Sequence, residues 1–428
     1  MNLSTISLLI IDRGELSHVA EFLARYFGKV FYNCITAGPY MTSPIAKIGE
    51  GLDGVEWVEK AWKKIKKVDM VLYPDVFDSD QMEFIKELEI PVCAGLGGTK
   101  METNKRYFKQ VVEDAIDTGK YPALRNVTAY VADGLDEVWE YVEDKPGPLY
   151  LKSCEPWRGD WETFCHHNRY ATKLFLNRKR QQLGEERANS IEISIERDIK
   201  DKVCEIGIDG FRLNGSLPAY VPCGYEKKDA GIIEKMLKGL PPILQQVADA
   251  LSPEYDRLKC QSPYSCECVI AKNGGIYPID ETIRAGSPCT GAIMEMLEEK
   301  YAEAIYSLAH GELPEWSEKD FEPYGAEIIL NSQWYVDNEL HVGLPKDVAP
   351  HMRLRNAHKK YGQYYCVPNG CGSTFGTLAA AGKTPKEAYE KVLDMAKELE
   401  VYQMDYDEKV FEACEEAIKE GGKHGIEW

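Results

Sequence analysis

Long apolar runs are missing from this sequence. None approaches the roughly 20 residues that a bilayer-spanning helix needs, so no membrane span is expected. Positive charge is in deficit, with 51 Lys and Arg against 70 Asp and Glu and a net charge of −19. Phosphate neutralisation needs clustered Lys and Arg, so bulk nucleic-acid binding is not expected either. The basic runs WKKIKK (62–67) and NRKRQQ (177–182) read as solvated helix faces. Glycine is scarce where a dinucleotide-binding turn would need it. No G-x-G-x-x-G follows the first apolar run, and DRGELSH (12–18) has a single glycine. Paired C-x-x-C spacing is also absent, so Cys260, Cys266, Cys268, Cys366 and Cys371 read as buried structural thiols rather than zinc ligands. MNLSTISLLIIDRG (1–14) has no basic segment ahead of its short apolar core and reads as a buried first strand, not a signal peptide. With 13 cysteines and no export signal, reduced thiols and a cytoplasmic location are expected.

What is present is ordinary core material. The chain has 428 residues, 44% hydrophobic and 28% charged, enough for about two to four domains. Residues 1–100 alternate strand and helix patterns in the βαβ manner. Strands are expected at 6–11, 29–35, 68–74 and 90–96, with helices at 15–28, 53–67 and 79–89. That order predicts a small parallel sheet covered by helices. A helix is expected at about 103–115, strands at 126–132 and 147–152, and a helix at 135–144. Strand patterns dominate 190–222, where Asp209-Gly210 and Asn214-Gly215 read as turns. Helices at 241–251 and 291–308 follow. The acidic, Pro- and Gly-containing stretch 311–325 reads as a linker to a smaller α+β unit, with strands at 326–336 and 363–368 and a helix at 384–400. The fold class is therefore mixed α/β.

The stretch YSCECVIAKNGGIYPIDETI (264–283) carries the strongest local signal. Asn273-Gly274 favours a two-residue hairpin turn. With that turn at the tip, Val269 faces Pro278 and Glu267 faces Asp280, while Thr282 projects from the same face as Asp280. Directly opposed carboxylates repel within a sheet. Either both are exposed, or one turns to a nearby Lys or Arg, or a divalent cation between them reverses the sign; the apolar surroundings favour the cation, and oxygen-only donors suit Mg²⁺.

With its neighbour Arg284, this hairpin resembles the metal-binding hairpin of the ATP-grasp ligases. The resemblance implies that Glu267 and Asp280 are the metal carboxylates. It puts Thr282 in place of the family's Asn ligand and Arg284 at the phosphate-contacting Arg. Other segments match in the family's order. METNKRYFKQVVEDA (101–115) is similar to the segment supplying the first nucleotide lysine, here Lys105. GPLYLKSCEPWRGDWETF (147–164) resembles the strand with the second lysine, Lys152, and the phosphate-covering loop, in which Arg158 is a candidate phosphate contact. SIERDIKDKVCEIGIDGFRLNG (194–215) resembles the hinge around adenine and ribose, with Glu196 and Ile199 on the adenine side and Glu205 on the ribose. The C-terminal GCGSTFGTLAAAGKTPKEAYEKVLDM (370–395) resembles the last domain of the phosphoribosylamine–glycine ligases within that family.

The resemblance implies a pre-ATP-grasp domain over 1–100, a lid subdomain over 101–165, a nucleotide- and metal-binding core over 166–310 and a C-terminal domain over 326–428. It implies ATP with Mg²⁺ or Mn²⁺ as cofactors. The implied reaction joins a carboxylate, activated as an acyl phosphate, to an amine, releasing ADP and phosphate. Lys152 and Arg284 would serve the transferred phosphoryl group. Small-molecule acid and amine substrates and a monomer or homodimer are expected. Two departures point away from phosphoribosylamine as the amine. The covering loop has one glycine, Gly159, between Trp157 and Trp161, and VPCGYEKKDAG (221–231) lacks the family's following Thr-Gly-Gly-Met run. The alternatives are a genuine phosphoribosylamine–glycine ligase and a nucleotide-binding protein that has lost catalysis.

Overall fold

The computed structural model describes residues 1–35, 43, 46–154, 163–368 and 372–428. At the N-terminal end the alternating apolar and amphipathic segments form a five-stranded parallel sheet. Its order is Val55–Trp57, Lys29–Cys34, Ser7–Asp12, Met70–Leu72 and Val92–Cys93. The first of these strands replaces the helix expected over 53–67, which otherwise contains only the short 3₁₀ turns Ala61–Lys63 and Ile65–Lys67. Gly54 takes a left-handed backbone (φ +74°) that a continuing helix does not allow. The β-favouring Val55 and Trp57 then alternate about an exposed Glu56 and pair with the neighbouring strand.

Central to the molecule is a nine-stranded antiparallel sheet. Its order is Ile276–Thr282, Gln261–Ala271, Lys202–Leu213, Tyr220–Lys227, Gly231–Lys238, Tyr324–Ser332, Thr374–Gly382 and Met352–Leu354, with Met404–Asp405 attached to Tyr324–Ser332. Asp209-Gly210 is not the turn its sequence suggests. It lies inside Lys202–Leu213, where Gly210 takes φ +107° and a Cβ on it would meet the Pro222 ring at 2.9 Å. Asn214-Gly215 does end that strand, with the Ser216 N–H donating back to the Leu213 carbonyl at 2.9 Å. The helix expected at 291–308 is two helices, Thr290–Leu297 and Glu299–Ala309, broken at Glu298 (φ +47°, ψ −119°).

A four-stranded antiparallel sheet, ordered Thr128–Asp133, Glu192–Arg197, Leu149–Ser153 and Thr163–His166, stands over the end of the large one. It has its own apolar core, in which Leu135 and Val138 of the helix Leu135–Val142 and Phe175 and Leu176 of the helix Arg169–Leu183 cover Leu151, Ile193 and Ile195. The basic run 177–182 belongs to the second of these helices. It is not uniformly solvated, since Lys179 is buried and Arg180 pairs with Asp136 and Glu185. Most of the described cysteines are buried. Among the described residues no helix is long and apolar enough to cross a membrane.

Candidate active site

Between the four-stranded sheet and the nine-stranded sheet lies a cleft of about 1220 Å³. Lys105, Lys152, Glu196, Ile199, Glu205, Glu267, Asp280, Thr282 and Arg284 all line it. Arg158 and the flanking Trp157 and Trp161 lie outside the described residues.

The hairpin reaches its expected pairing by an unexpected route. The tip is a three-residue turn, not a two-residue one. The Ala271 N–H donates to Gly275 O at 3.0 Å, and Gly274 sits at φ +77°. The register near the tip is therefore shifted, and Pro278 lies opposite Cys268 instead of Val269. Continued without interruption, that ladder would set Ile279 against Glu267 and turn Asp280 to the other face. A β-bulge at Ile279 absorbs the offset, so Glu267 faces Asp280 and Ser265 faces Thr282.

Lys109 braces that bulge. Its ammonium donates to the carbonyls of Pro278 and Ile279, both at 2.9 Å. The helix Lys105–Asp117 supplies it, started by an Asn104 cap that accepts from the Tyr107 N–H at 2.9 Å. Lys105 stands one turn earlier on the same face and pairs with Asp280. Lys152 reaches in from the facing sheet, 3.2 Å from Glu196 and 3.8 Å from Asp280, and Lys109 lies 3.7 Å from Glu196. Three lysines and two carboxylates thus form one buried network. Across the hairpin Lys228 pairs with Glu267 at 3.2 Å. Arg284 is held by Glu102 at 2.8 Å, whose other oxygen accepts from the Ile283 N–H at 2.6 Å. Lys202 pairs with Glu205 at the far end of the cleft.

These contacts set the charges. Burial alone would raise the Asp280 carboxyl, but the ammonium groups of Lys105 and Lys152 outweigh it and hold Asp280 well below the usual carboxylate range. Glu267 behaves oppositely: burial pushes it up, and Lys228 only partly offsets this. Burial also disfavours the charged form of Lys152, yet Glu196 and Asp280 raise it above an ordinary lysine. Lys109 is lowered, because its burial exceeds what Glu196 returns.

Several residues here had not been singled out in the sequence. Lys109 carries a signal, four residues after Lys105 on a helix, that could have found it. Lys228 sits beside Glu226 in a run read only for its loop motif. Asp209, Glu234 and Cys289 form a second buried group beside the hairpin, with candidate donor atoms within 4.8 Å of one another. Burial pushes the Asp209 carboxyl up to about 7 and Glu234 well above the ordinary range.

No family model matches the chain, and no curated protein does. Solved structures do match along its length. The Thermotoga maritima phosphoribosylamine–glycine ligase superposes with a TM-score of 0.62 at 15% identity, covering 94% of this chain and 99% of that one. The biotin carboxylase domain of the Hydrogenobacter thermophilus 2-oxoglutarate carboxylase, in complex with MgADP and bicarbonate, gives 0.65 at 12% identity, covering 99% of each chain. The Staphylococcus aureus N5-carboxyaminoimidazole synthetase in complex with ADP gives 0.58 at 11% identity, covering 93% of this chain and 100% of that one. The chain has the ATP-grasp fold. At these identities the likeness is one of fold. The ATP-grasp architecture places the two sheets that hold Lys152 and the Glu267–Asp280 pair on opposite sides of one cleft.

Proposed function

We propose that this cleft binds ATP with Mg²⁺ and that the protein is an ATP-dependent ligase joining a carboxylic acid to an amine. The observation that carries the reading is the directly opposed Glu267–Asp280 pair, set between Lys105 and Lys152 in a cleft walled by two sheets. The donor set fits the ion. Two half-buried carboxylates on facing strands are hard oxygen donors, and the bulge exists where it turns Asp280 to the Glu267 face. Glu267 and Asp280 would hold Mg²⁺, with Thr282 beside them, and the bound ion would neutralise charge on the nucleotide phosphates. Mn²⁺ suits the same oxygens.

Hydroxide is a poor leaving group, so a carboxylate and an amine do not condense directly at neutral pH. Phosphorylation of the acid by ATP gives an acyl phosphate, which the amine attacks to form the amide and release phosphate. The protein's part is positioning and charge compensation. Lys105 and Lys152 approach the phosphates from the two walls of the cleft. Glu196 and Ile199 line the adenine end and Glu205 the ribose. Arg284, steered by its contact with Glu102, meets the transferred phosphoryl group. The substrate is an acid–amine pair other than phosphoribosylamine and glycine. The neighbours of comparable structural similarity include a domain crystallised with bicarbonate, so the fold does not favour the purine precursor.

The test is ADP release from pooled amino acids and small amines, with phosphoribosylamine plus glycine run alongside. ADP release with some other pair is expected. Robust glycinamide ribonucleotide formation would overturn the substrate assignment, and ATP binding without turnover of any pool would overturn the ligase reading.

A further inference from the structure

The nine-stranded sheet carries a second group of buried acids beside the Glu267–Asp280 pair. Asp209 lies one step beyond the metal pair on its strand. Gly207 pairs with Glu267, and Asp209 pairs with Ser265. Asp209 is 1% exposed and Glu234, on the strand Gly231–Lys238, is fully buried. Cys289, 3% exposed, begins the helix Thr290–Leu297 from a left-handed backbone (φ +123°).

Two glycines make room for these acids. A Cβ at Gly207 would fall 2.3 Å from Asp209 Oδ2, and one at Gly224 would fall 2.5 Å from Glu234 Oε1. The acids are seated in recesses that any larger residue would fill. A third buried acid nearby, Glu327, is fully served. It accepts from the backbone N–H groups of Cys289 and Ala292 at 3.0 and 2.9 Å and from the Thr377 hydroxyl at 2.5 Å. Glu234 differs. Among the described residues neither of its oxygens meets an N–H donor, nor does Asp209 Oδ2, and the two carboxyl groups face each other. Lys228, which also lines the cleft, is directed at Glu267.

An acceptor-only carboxylate buried without donors is expensive unless a cation or a proton compensates it. The thiol discriminates among cations. Mg²⁺ and Ca²⁺ take oxygen, whereas ions of the zinc class accept thiolate together with carboxylate. We infer that Asp209, Glu234 and Cys289 hold a thiophilic divalent ion of the zinc class, next to the oxygen-only pair Glu267–Asp280. Asp209 and Cys289 line the cleft while Glu234 lies behind them. Three protein donors leave one coordination position, and it faces the cleft.

Cobalt is the probe, because a thiolate on Co²⁺ gives a near-ultraviolet charge-transfer band that oxygen ligands do not. Metal-stripped full-length protein titrated with Co²⁺ is expected to develop that band at one equivalent and lose it on addition of Zn²⁺. Cys289→Ala removes the band. Glu234→Gln, nearly the same shape, weakens Co²⁺ binding about tenfold or more. Circular dichroism and the unfolding midpoint show whether each variant is folded. A folded wild type without the band overturns the assignment, as does a band that survives Cys289→Ala. A folded Glu234→Gln with unchanged Co²⁺ affinity also overturns it and leaves Asp209 and Glu234 sharing only a proton. None of these readouts uses ATP turnover.

Discussion

Replacing Lys109 with Met tests whether the bulge in the hairpin is held from outside. Lys109 is 3% exposed and donates to two backbone carbonyls, Pro278 and Ile279, at 2.9 Å each. Charge-assisted hydrogen bonds contribute about 1.5–3 kcal/mol each. Their loss leaves two buried carbonyls short of a donor and removes one of the two ammonium groups facing Glu196. Against this, the substitution relieves the desolvation that lowers Lys109, and the Met side chain fills most of the same space. Removing one partner of a buried ionic contact typically costs about 3–5 kcal/mol, and the relief places the expected loss at the lower end, near 3 kcal/mol. Urea unfolding with an unchanged slope and a lowered midpoint reads this out. The same variant should bind MgATP more weakly, because an unbraced bulge no longer fixes Asp280 on the Glu267 face. A variant with both the unfolding midpoint and the nucleotide affinity of the wild type would refute the reasoning.

Glu267→Gln and Asp280→Asn are each expected to abolish ATP turnover with the fold retained by circular dichroism; normal ADP formation by both in Mg²⁺ would remove the metal assignment. Lys105→Met and Lys152→Met should each weaken ATP binding by about 1.5–3 kcal/mol, read by calorimetry. Glu281, buried beneath the hairpin against Tyr255 and Tyr264, is pushed up to about 7 by burial, which its hydrogen bonds only partly offset. The unfolded chain releases that proton near pH 4. Its contribution to stability is therefore complete below pH 4 and is lost as the pH rises towards 7, at up to about 1.4 kcal/mol per pH unit. Glu281→Gln should flatten the fall in unfolding free energy between pH 5 and 8, and a slope equal to that of the wild type would count against it.

Much of the site was legible because strand pairing and charge repulsion are local. The Asn-Gly tip and two acids at matched distances from it were enough to pair Glu267 with Asp280. The route was not legible. A three-residue turn and a bulge displace the register in opposite directions, and only the second depends on a side chain, Lys109, from a distant helix. The N-terminal stretch 53–67 failed for a related reason. Its apolar spacing suits a helix, but an available edge on the strand Lys29–Cys34 recruits Val55–Trp57 by backbone pairing that periodicity does not register. Asp209-Gly210 has turn chemistry, yet pairing along the strand Gln261–Ala271 carries it straight through. Glu234 and Cys289 come together from separate strands and loops, and nothing in their local spacing marks the meeting.

The acidic stretch before Tyr324 invites a cut, since it is short of regular structure and rich in Pro and Gly. The strand that follows makes such a cut impracticable. Tyr324–Ser332 pairs on one side with Gly231–Lys238 and on the other with Thr374–Gly382, in the interior of the nine-stranded sheet. Truncation ahead of it would bare a row of unpaired backbone groups along Gly231–Lys238, the strand that bears Glu234, and such a raw margin templates association with other chains. Expressed alone, the first 320 or so residues should therefore be recovered as aggregates or exchanged dimers rather than as a smaller working enzyme. The protein is modular in its chemistry but not in its hydrogen bonding.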